Sequence, residues 1–258
     1  TAIIGSLAGG GTVQNGNATT VVTLTAGGNN ATTTFSGVLQ NGGAAALALT
    51  KNGTGTLTLS GNNTYSGATT INAGTLEIGS TGRLGGGSYA GAITNNGSLL
   101  YSGTNNQTLS GILSGNGALT HNNTSTLTLS GNNTYSGTTI ISTGTLQIGA
   151  GGTSGALNAN STITNNGTLA FNRSNTITQG TDFAGVLTGA GNITQAGSGT
   201  LLLTGNNTYT GTTTLSAGTL EVGAAGRLGG GAYAGNIANN GTLIYSGSNA
   251  QTLSGVIS

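Results

Sequence analysis

The ionisable side chains of this sequence are few, and they decide which chemistry the chain could perform. Its 258 residues include four Lys or Arg, three Asp or Glu and one His. Cleavage of polysaccharides needs paired carboxylates, or calcium-binding acids beside a base, on one face. Glu77 and Glu221 lie far apart in the sequence, and Asp182 stands alone in an insertion. His121 has no acidic or imidazole neighbour in the sequence, so we interpret it as a polar residue at a strand end.

The composition excludes several other classes of function. The net charge is +1, which is too small to neutralise a run of nucleic-acid phosphates or to hold anionic lipid heads. A surface so close to neutral has little repulsion between copies, which favours self-association. Cysteine is absent, so disulfides and thiolate metal sites are impossible. No apolar run approaches the ~18 residues of a membrane span. We therefore expect no enzyme activity, cofactor, nucleic acid or membrane insertion.

Internal repetition is the strongest organising signal. The phrase LTLSGNNTYSG at 57–67 returns unchanged at 127–137, and LLLTGNNTYTG follows at 201–211. A second marker, ITNNG at 93–97 and 163–167, becomes IANNG at 237–241. Both markers return at nearly even spacing, and repeats of this kind indicate a solenoid or another repeat architecture.

Within each copy, apolar and polar residues alternate with a period of two. In TLTLS, Leu57 and Leu59 alternate with Thr and Ser, and in TLEIG, Leu76 and Ile78 flank Glu77. Such short runs, bounded by Gly and Asn, predict half-buried β-strands. We predict an all-β, right-handed parallel β-helix with about three coils of roughly 23 residues per block and no charged residue in its core. Residues 1–258 would form a single continuous β-solenoid, a fragment of a longer repetitive chain.

The repeated GNNTY phrase predicts corners where the chain turns between sheets. Asn and Gly tolerate left-handed backbone angles, and the amides can pass hydrogen bonds to similar amides in neighbouring coils. Equivalent aromatic residues lie three coils apart, about 14 Å, which is too far for ring stacking. The predicted corner residues are Asn63, Tyr65, Asn133, Tyr135, Asn207 and Tyr209.

A charged pair recurs in the outer copies and is missing from the middle one. Glu77 with Arg83 returns as Glu221 with Arg227, whereas the middle copy has Gln147 and Thr153. Because the middle copy lacks both members, we predict that each of the two pairs forms a surface ion pair across a corner. Such a pair contributes about 0–1 kcal/mol to stability.

The stretch GTGTLTLSGNNTYSGATTINAGTLEIG, at 53–79, resembles the passenger-associated transport repeat of bacterial autotransporters. The copies at 124–149 and 197–223 follow the same pattern, and the Thr/Asn/Gly-rich segments between them are similar to other parts of such passengers. The middle copy departs where Gln147 replaces Glu and GRLGGG becomes GTSGAL.

The resemblance implies a β-helix displayed on, or released from, the surface of a Gram-negative-type cell, with signal and anchor outside this fragment. The leading hypothesis is a non-enzymatic stalk or adhesin segment whose partners are other copies of itself or a host or environmental surface. A filament subunit built by end-to-end stacking is the alternative. A carbohydrate-binding or lyase-type β-helix is the third, and it leaves glycans open as partners.

Overall fold

The computed structural model describes residues 1–183 and 185–258, which form two compact units, Thr1–Leu127 and Thr128–Ser258. Short strands joined by tight corners make up both units. Helix in the described residues is limited to two single-turn 3-10 segments, Gly85–Gly87 and Gly229–Gly231. The all-β prediction is confirmed, while a single continuous solenoid over 1–258 stays a prediction.

The strands of the first unit are numbered in chain order. They are β1 (Ala2–Ile3), β2 (Thr12–Gln14), β3 (Val22–Ala26), β4 (Thr33–Phe35), β5 (Val38–Gln40), β6 (Leu47–Lys51), β7 (Thr56–Leu59), β8 (Thr69–Ile71), β9 (Thr75–Ser80), β10 (Ser88–Tyr89), β11 (Ile93–Asn95), β12 (Ser98–Gly103), β13 (Gln107–Leu109), β14 (Leu113–Ser114) and β15 (Ala118–Leu129), within which the unit ends.

The strands of the second unit continue the numbering. They are β16 (Thr139–Ile148), β17 (Ile163–Asn165), β18 (Thr168–Phe171), β19 (Ile177–Thr178), β20 (Leu187–Thr188), β21 (Asn192–Gln195), β22 (Thr200–Leu203), β23 (Thr213–Leu215), β24 (Thr219–Val222), β25 (Ala232–Tyr233), β26 (Ile237–Asn239), β27 (Thr242–Tyr245) and β28 (Thr252–Leu253).

Strands that pair in the first unit are parallel and are never consecutive in the chain. One sheet runs β1–β3–β6–β8–β11–β14, and a second runs β4–β7–β9–β12–β15. The third side is more fragmentary, with the pairs β2–β5 and β10–β13. The chain therefore visits each side once per turn, and we call one such turn a coil. The prediction of a parallel β-solenoid is confirmed, and its right-handed winding stays a prediction.

The length of a coil follows from the strand register. In the second sheet of the first unit, Leu57 pairs with Leu76, Leu76 with Leu99, and Leu99 with Leu119. Three coils that start at Leu57 thus end at Leu119, whereas the next copy of Leu57 in the sequence is Leu127. A repeat block is therefore somewhat longer than three coils.

Because of this excess, successive copies begin on different sides of the solenoid. Leu146 and Leu220 hold the same place in the second and third copies of the repeat. In the second unit, Leu146 pairs with Leu169 in the sheet β16–β18–β21–β23–β26. Leu220 pairs instead with Leu201 and Leu243 in the separate sheet β19–β22–β24–β27. Equivalent sequence phrases thus face different directions.

The interior is filled by the apolar half of each alternating strand. In β7, Leu57 and Leu59 are buried while Thr56 and Thr58 are partly exposed on the outer face. Burying a side chain of this size stabilises a fold by about 1.5–3 kcal/mol. Threonine side chains lie on the outer face in most strands. Thr69 and Thr213 are fully buried, because each bonds to interior tyrosines described below.

Glycines stack in columns at the corners, where successive coils come too close for any side chain. A Cβ on Gly111 would lie 2.3 Å from the carbonyl oxygen of Gly91, and one on Gly91 would lie 2.6 Å from that of Gly67. A second column in the same unit runs through Gly74, Gly97 and Gly117, with corresponding distances of 2.4 Å, 2.4 Å and 2.3 Å to the coil before. Real Cβ atoms do not approach backbone this closely, so these positions require glycine. Close stacking of backbone explains much of the chain's content of 52 glycines.

Candidate functional site

Three polar side chains occupy equivalent inward positions in the three copies of the repeat. Lys51, His121 and Gln195 hold the same place in successive copies, where they end the segments LALTK, ALTH and NITQ. All three are at most 2% exposed. Period-two alternation places these positions inside, whereas their polarity would favour the outside, so each needs internal hydrogen bonds.

Lys51 satisfies the carbonyl groups of the corner that follows it. Its ammonium Nζ donates to the backbone oxygens of Asn52 at 2.7 Å, Gly53 at 2.8 Å and Ala73 at 3.3 Å. Burial lowers the pKa of Lys51, because removing the ammonium from water disfavours its charged form. The expectation of a core without charged residues is therefore wrong. The Lys51 ammonium thus supplies hydrogen-bond donors to three backbone carbonyls at this corner.

His121 performs the same task without a permanent charge. Nε2 lies 2.9 Å from the carbonyl oxygen of Ser125, and Nδ1 lies 3.4 Å from that of Tyr101. The imidazole stacks on the Tyr101 ring with 5.7 Å between centroids. His121 lies inside β15 and is fully buried, so its interpretation as a strand-end residue is wrong.

Gln195 completes the series in the third copy. Its Nε2 donates to the carbonyl oxygens of Gly197 and Gly199, both at 2.9 Å. Sequence reasoning missed this shared role because each of the three residue types was weighed alone. Aligning the copies would have shown a long polar side chain recurring at an inward position, just before a corner.

Protonation of His121 should destabilise the first unit in mild acid. Burial lowers the pKa of His121 below its usual 6.5, and hydrogen bonds to the backbone oppose part of this shift. A base whose pKa is lower in the folded state contributes stability above its unfolded pKa and loses it as pH falls toward the folded pKa. Denaturant unfolding should therefore show a lower midpoint at about pH 5 than at about pH 7.5.

The matched control for this pH dependence is His121→Gln, which copies the third repeat. Glutamine keeps a donor for the corner carbonyls and does not titrate in this range. The other titratable group against the imidazole is Tyr101, whose pKa burial raises to about 12, so it remains neutral. An equal loss of stability in His121→Gln would contradict the assignment to the imidazole.

The predicted corner asparagines bridge neighbouring coils. Asn63 lies between β7 and β8, and its Oδ1 accepts from the Leu39 amide at 3.0 Å in the preceding coil. Its Nδ2 donates to Gly61 O at 2.8 Å and to Arg83 O at 3.2 Å in the following coil. Asn63 is fully buried, so these bonds replace water completely. The partners are mostly backbone groups of neighbouring coils.

Asn133 and Asn207 repeat this arrangement in the second unit. Asn133 Nδ2 donates to Gly131 O at 2.8 Å and to Ala156 O at 2.9 Å. Asn207 also exchanges two hydrogen bonds with the amide of Gln179, at 2.5 Å and 3.1 Å. Asn207 therefore makes the predicted amide-to-amide contact between coils.

The predicted corner tyrosines point into the core. Tyr65 is fully buried, and its hydroxyl lies 2.8 Å from the Thr69 hydroxyl, which lies 2.7 Å from that of Tyr89. Tyr65 and Tyr89 also meet edge to face, with ring centroids 5.4 Å apart. Burial raises the pKa of Tyr89 to about 12. The expected distance concerned equivalent aromatic residues three coils apart, whereas the partner of Tyr65 is a non-equivalent tyrosine of the following coil.

The same cluster forms in the third copy and is reduced in the second. Tyr209, Thr213 and Tyr233 repeat the hydroxyl chain at 2.7 Å and 2.8 Å, with rings 5.5 Å apart. Tyr135 is fully buried and bonds Thr139 at 2.6 Å. The second tyrosine belongs to the GGGSYAG and GGGAYAG segments, which the middle copy lacks.

The predicted surface ion pairs are not formed among the described residues. The Glu77 carboxylate accepts hydrogen bonds from the hydroxyls of Thr58 at 2.8 Å and Ser102 at 2.5 Å. Arg83 lies beside Tyr101 instead. Burial raises the pKa of Tyr101, and the positive charge of Arg83 acts in the opposite direction. The reason is geometric: Glu77 points outward from mid-strand, and its cross-strand neighbours supply hydroxyl donors before Arg83 is reached.

The second predicted pair shows the same departure. Glu221 accepts from the Ser246 hydroxyl at 2.5 Å, and Arg227 packs against Gly231. The ion pair that the described residues do contain joins Arg173 to Asp182 at 3.6 Å, with Arg173 buried. Asp182 also accepts from the Thr178 amide at 2.7 Å. The Asp182 carboxylate is therefore not isolated, because it links the insertion to the buried Arg173.

The described residues bring together no set of side chains with the geometry of a metal or catalytic centre. No group of three His, Asp or Glu able to hold a metal occurs in that part of the chain. Every acidic side chain is engaged by a hydroxyl, an amide or Arg173. Among the helices of the described residues, none is long and apolar enough to cross a membrane. What remains accessible is the outer face of the strands.

That outer face includes a continuous row of hydroxyls in the first unit, which we call the hydroxyl rank. Its members follow one another through the strand register of β3, β6, β8, β11 and β14, and all are partly exposed. They are Thr25, Thr50, Thr70, Thr94 and Ser114. The rank is uncharged and suited to hydrogen bonding with a polar neutral partner.

Comparison with known proteins identifies the repeat. Residues 49–78, 119–148 and 193–222 match the passenger-associated-transport-repeat, so the predicted resemblance is confirmed. The chain is also 44% identical over 199 residues to a protein described as "Adhesin BmaC autotransporter" from Brucella suis biovar 1 (strain 1330). This match covers 70% of the chain and 6% of the relative, so the chain spans only a small part of that protein. No solved structure matches the chain.

Proposed function

We propose that this chain, with its three passenger-associated-transport-repeats, is part of a non-enzymatic autotransporter passenger that is displayed at a bacterial cell surface and mediates adhesion. The observation that carries this proposal is the 44% identity to an autotransporter adhesin. The fold supports it, because short parallel coils add one upon another and need no long-range closure. The structure supports a role for the outer surface, because Lys51 and the three acidic side chains are engaged by groups of the chain itself.

The contact surface that we propose is the strand faces, with the hydroxyl rank as the most regular part of the first unit. Adhesion through such a face relies on many weak polar contacts, and the low charge of the chain keeps the long-range repulsion between surfaces small. Glycans and protein surfaces both offer suitable partners. Small-angle X-ray scattering tests whether 1–258 also forms one continuous stalk.

Display of the chain on a non-adherent bacterium should confer attachment to a host or abiotic surface. Replacing Thr50 and Thr70 by lysine should reduce attachment several-fold while leaving the fold intact, because both side chains are only partly buried on the outer face. Counting the cells that remain after washing measures attachment, and circular dichroism shows whether the fold is intact. Unchanged attachment would remove the hydroxyl rank from the proposal, and no attachment by the parent chain would remove adhesion itself.

Self-association by end-to-end stacking is a second candidate. The net charge of +1 leaves little electrostatic repulsion between copies of the chain. Concentration-dependent fibres in electron micrographs would support it, and a strictly monomeric chain at high concentration would refute it. A lyase-type function predicts cleavage of pectin-like substrates, for which we expect a blank assay.

A further inference from the structure

The chain contains a chemically reactive dipeptide, Asn-Gly, in which the glycine nitrogen can attack the asparagine side chain to close a five-membered ring. Glycine makes this attack easiest because no side chain obstructs it. The structure can rank the sites by how each glycine amide and each carboxamide is held. The seven sites begin at Asn15, Asn41, Asn52, Asn96, Asn116, Asn166 and Asn240.

Four of the seven glycine amides are already engaged. Gly97, Gly167 and Gly241 each donate to an asparagine Oδ1 two residues earlier, all at 3.2 Å. Gly117 donates to Asn95 O at 2.8 Å. A donated N–H is harder to deprotonate for attack, so these four sites are protected.

The other three glycine amides, those of Gly16, Gly42 and Gly53, have no hydrogen-bond partner among the residues that the structure describes. Their asparagines differ in how firmly they are held. Asn15 is buried and donates to three carbonyls. Asn41 Oδ1 accepts from two backbone amides, at 3.0 Å and 3.1 Å.

Asn52 is the loosest of these three. Its carboxamide makes one side-chain hydrogen bond, in which Oδ1 accepts from Asn72 Nδ2 at 2.7 Å. The side chain is partly exposed at a corner, so water and base can reach it. Asn52 and Gly53 therefore combine an unbonded nucleophile with a weakly restrained electrophile.

A buried cation also polarises this peptide. The Lys51 ammonium lies 2.7 Å from the carbonyl oxygen of Asn52, which belongs to the peptide bond joining Asn52 to Gly53. A charge-assisted hydrogen bond in a low-dielectric setting draws electron density from that peptide. The Gly53 N–H becomes more acidic as a result, and the deprotonated nitrogen is the attacking species.

We propose that Asn52 is a modification site at which the folded chain converts asparagine to aspartate and isoaspartate without an enzyme. The Gly53 nitrogen gives its proton to a solvent base and bonds to Cγ of Asn52. The Cγ–Nδ2 bond then breaks, and ammonia leaves with a proton from solvent. Water adds to either carbonyl of the resulting succinimide and opens the ring to a carboxylate. The product places a negative charge beside the buried Lys51 ammonium, in a chain whose net charge is +1.

Peptide mapping of the native chain, aged in mildly alkaline buffer, tests the proposal. Trypsin cleaves after Lys51 and Arg83 and so isolates the segment 52–83, where Asn52 is followed by glycine and the other asparagines are not. We expect deamidation at Asn52 to be at least tenfold faster than at Asn116, which serves as the internal control. Equal rates at the two sites would overturn the proposal.

Three further experiments separate the contributions of the fold, of the Lys51 cation and of the Asn52 side chain. In denaturant the two sites should react at similar rates, because the fold no longer distinguishes them; a tenfold difference that persists there would overturn the structural argument. Lys51→Gln copies the third repeat and should slow the reaction at Asn52 several-fold in the folded chain, mapped with a glutamate-specific protease. Asn52→Gln, which cannot close a five-membered ring, should abolish the product. A Lys51→Gln chain that reacts as fast as the parent would remove the cation from the mechanism.

Discussion

Replacing Gly111 by alanine should destabilise the first unit by about 3 kcal/mol or more, at the upper end of what overpacking costs. The added Cβ would lie 2.3 Å from Gly91 O and 2.7 Å from Ala90 O. Both atoms are backbone, so relief requires a shift of the whole coil and breaks parallel hydrogen bonds beside the corner. Urea unfolding followed by circular dichroism gives the change in the free energy of unfolding.

Gly28→Ala is the control for this steric effect. A Cβ on Gly28 would meet nothing within 4 Å, and neither glycine has a positive φ, so the two substitutions differ in packing alone. We expect Gly28→Ala to change stability by less than about 0.5 kcal/mol, as surface substitutions do. Similar losses in the two variants would mean that the glycine columns are not set by close approach of the coils.

Asn63→Ala should cost about 1–3 kcal/mol, because it leaves the buried Leu39 amide without its acceptor, while the Gly61 and Arg83 carbonyls keep backbone donors. The substitution removes the acceptor of the Leu39 amide and the donor to the Gly61 and Arg83 carbonyls. Three coils lose a shared contact at once. Hydrogen exchange should show faster opening of the Leu39 amide, in addition to the lower free energy of unfolding.

The neighbouring substitution Asn62→Ala controls for loss of an asparagine at this corner. Asn62 is exposed, and its side chain makes no hydrogen bond within the described residues. We expect a change within about 0.5 kcal/mol. If Asn62→Ala were as harmful as Asn63→Ala, the effect would belong to the local backbone of the GNN turn rather than to the bridging amide.

Much of the fold could be predicted from the sequence, because one physical rule acts repeatedly. Alternation of Leu57 and Leu59 with threonines sets which face is buried, and Gly with Asn sets where the chain turns. A local rule of this kind needs no knowledge of distant residues. The parallel solenoid and the placement of Asn63 follow from it.

The side-chain partners could not be predicted in the same way. Lys51 and His121 follow the alternation and point inward, although polar residues usually face water. They do so because backbone carbonyls in the corner that follows accept hydrogen bonds from them. The ring contact of Tyr65 with Tyr89 depends on which registers meet across coils. Glu77 had several possible partners, and the nearest hydroxyls in adjacent strands took precedence over Arg83.

The drift between repeat length and coil length gives whole-copy duplication an unexpected effect. Leu146 and Leu220, one copy apart, lie in different sheets of the second unit. Gaining or losing one copy would therefore change the length of the chain and also rotate the residues that follow about the solenoid axis, by about one side of a three-sided coil. Because each copy shifts the chain by about one side, three copies would return it to the original side, so copy number decides which side of the solenoid an equivalent strand occupies.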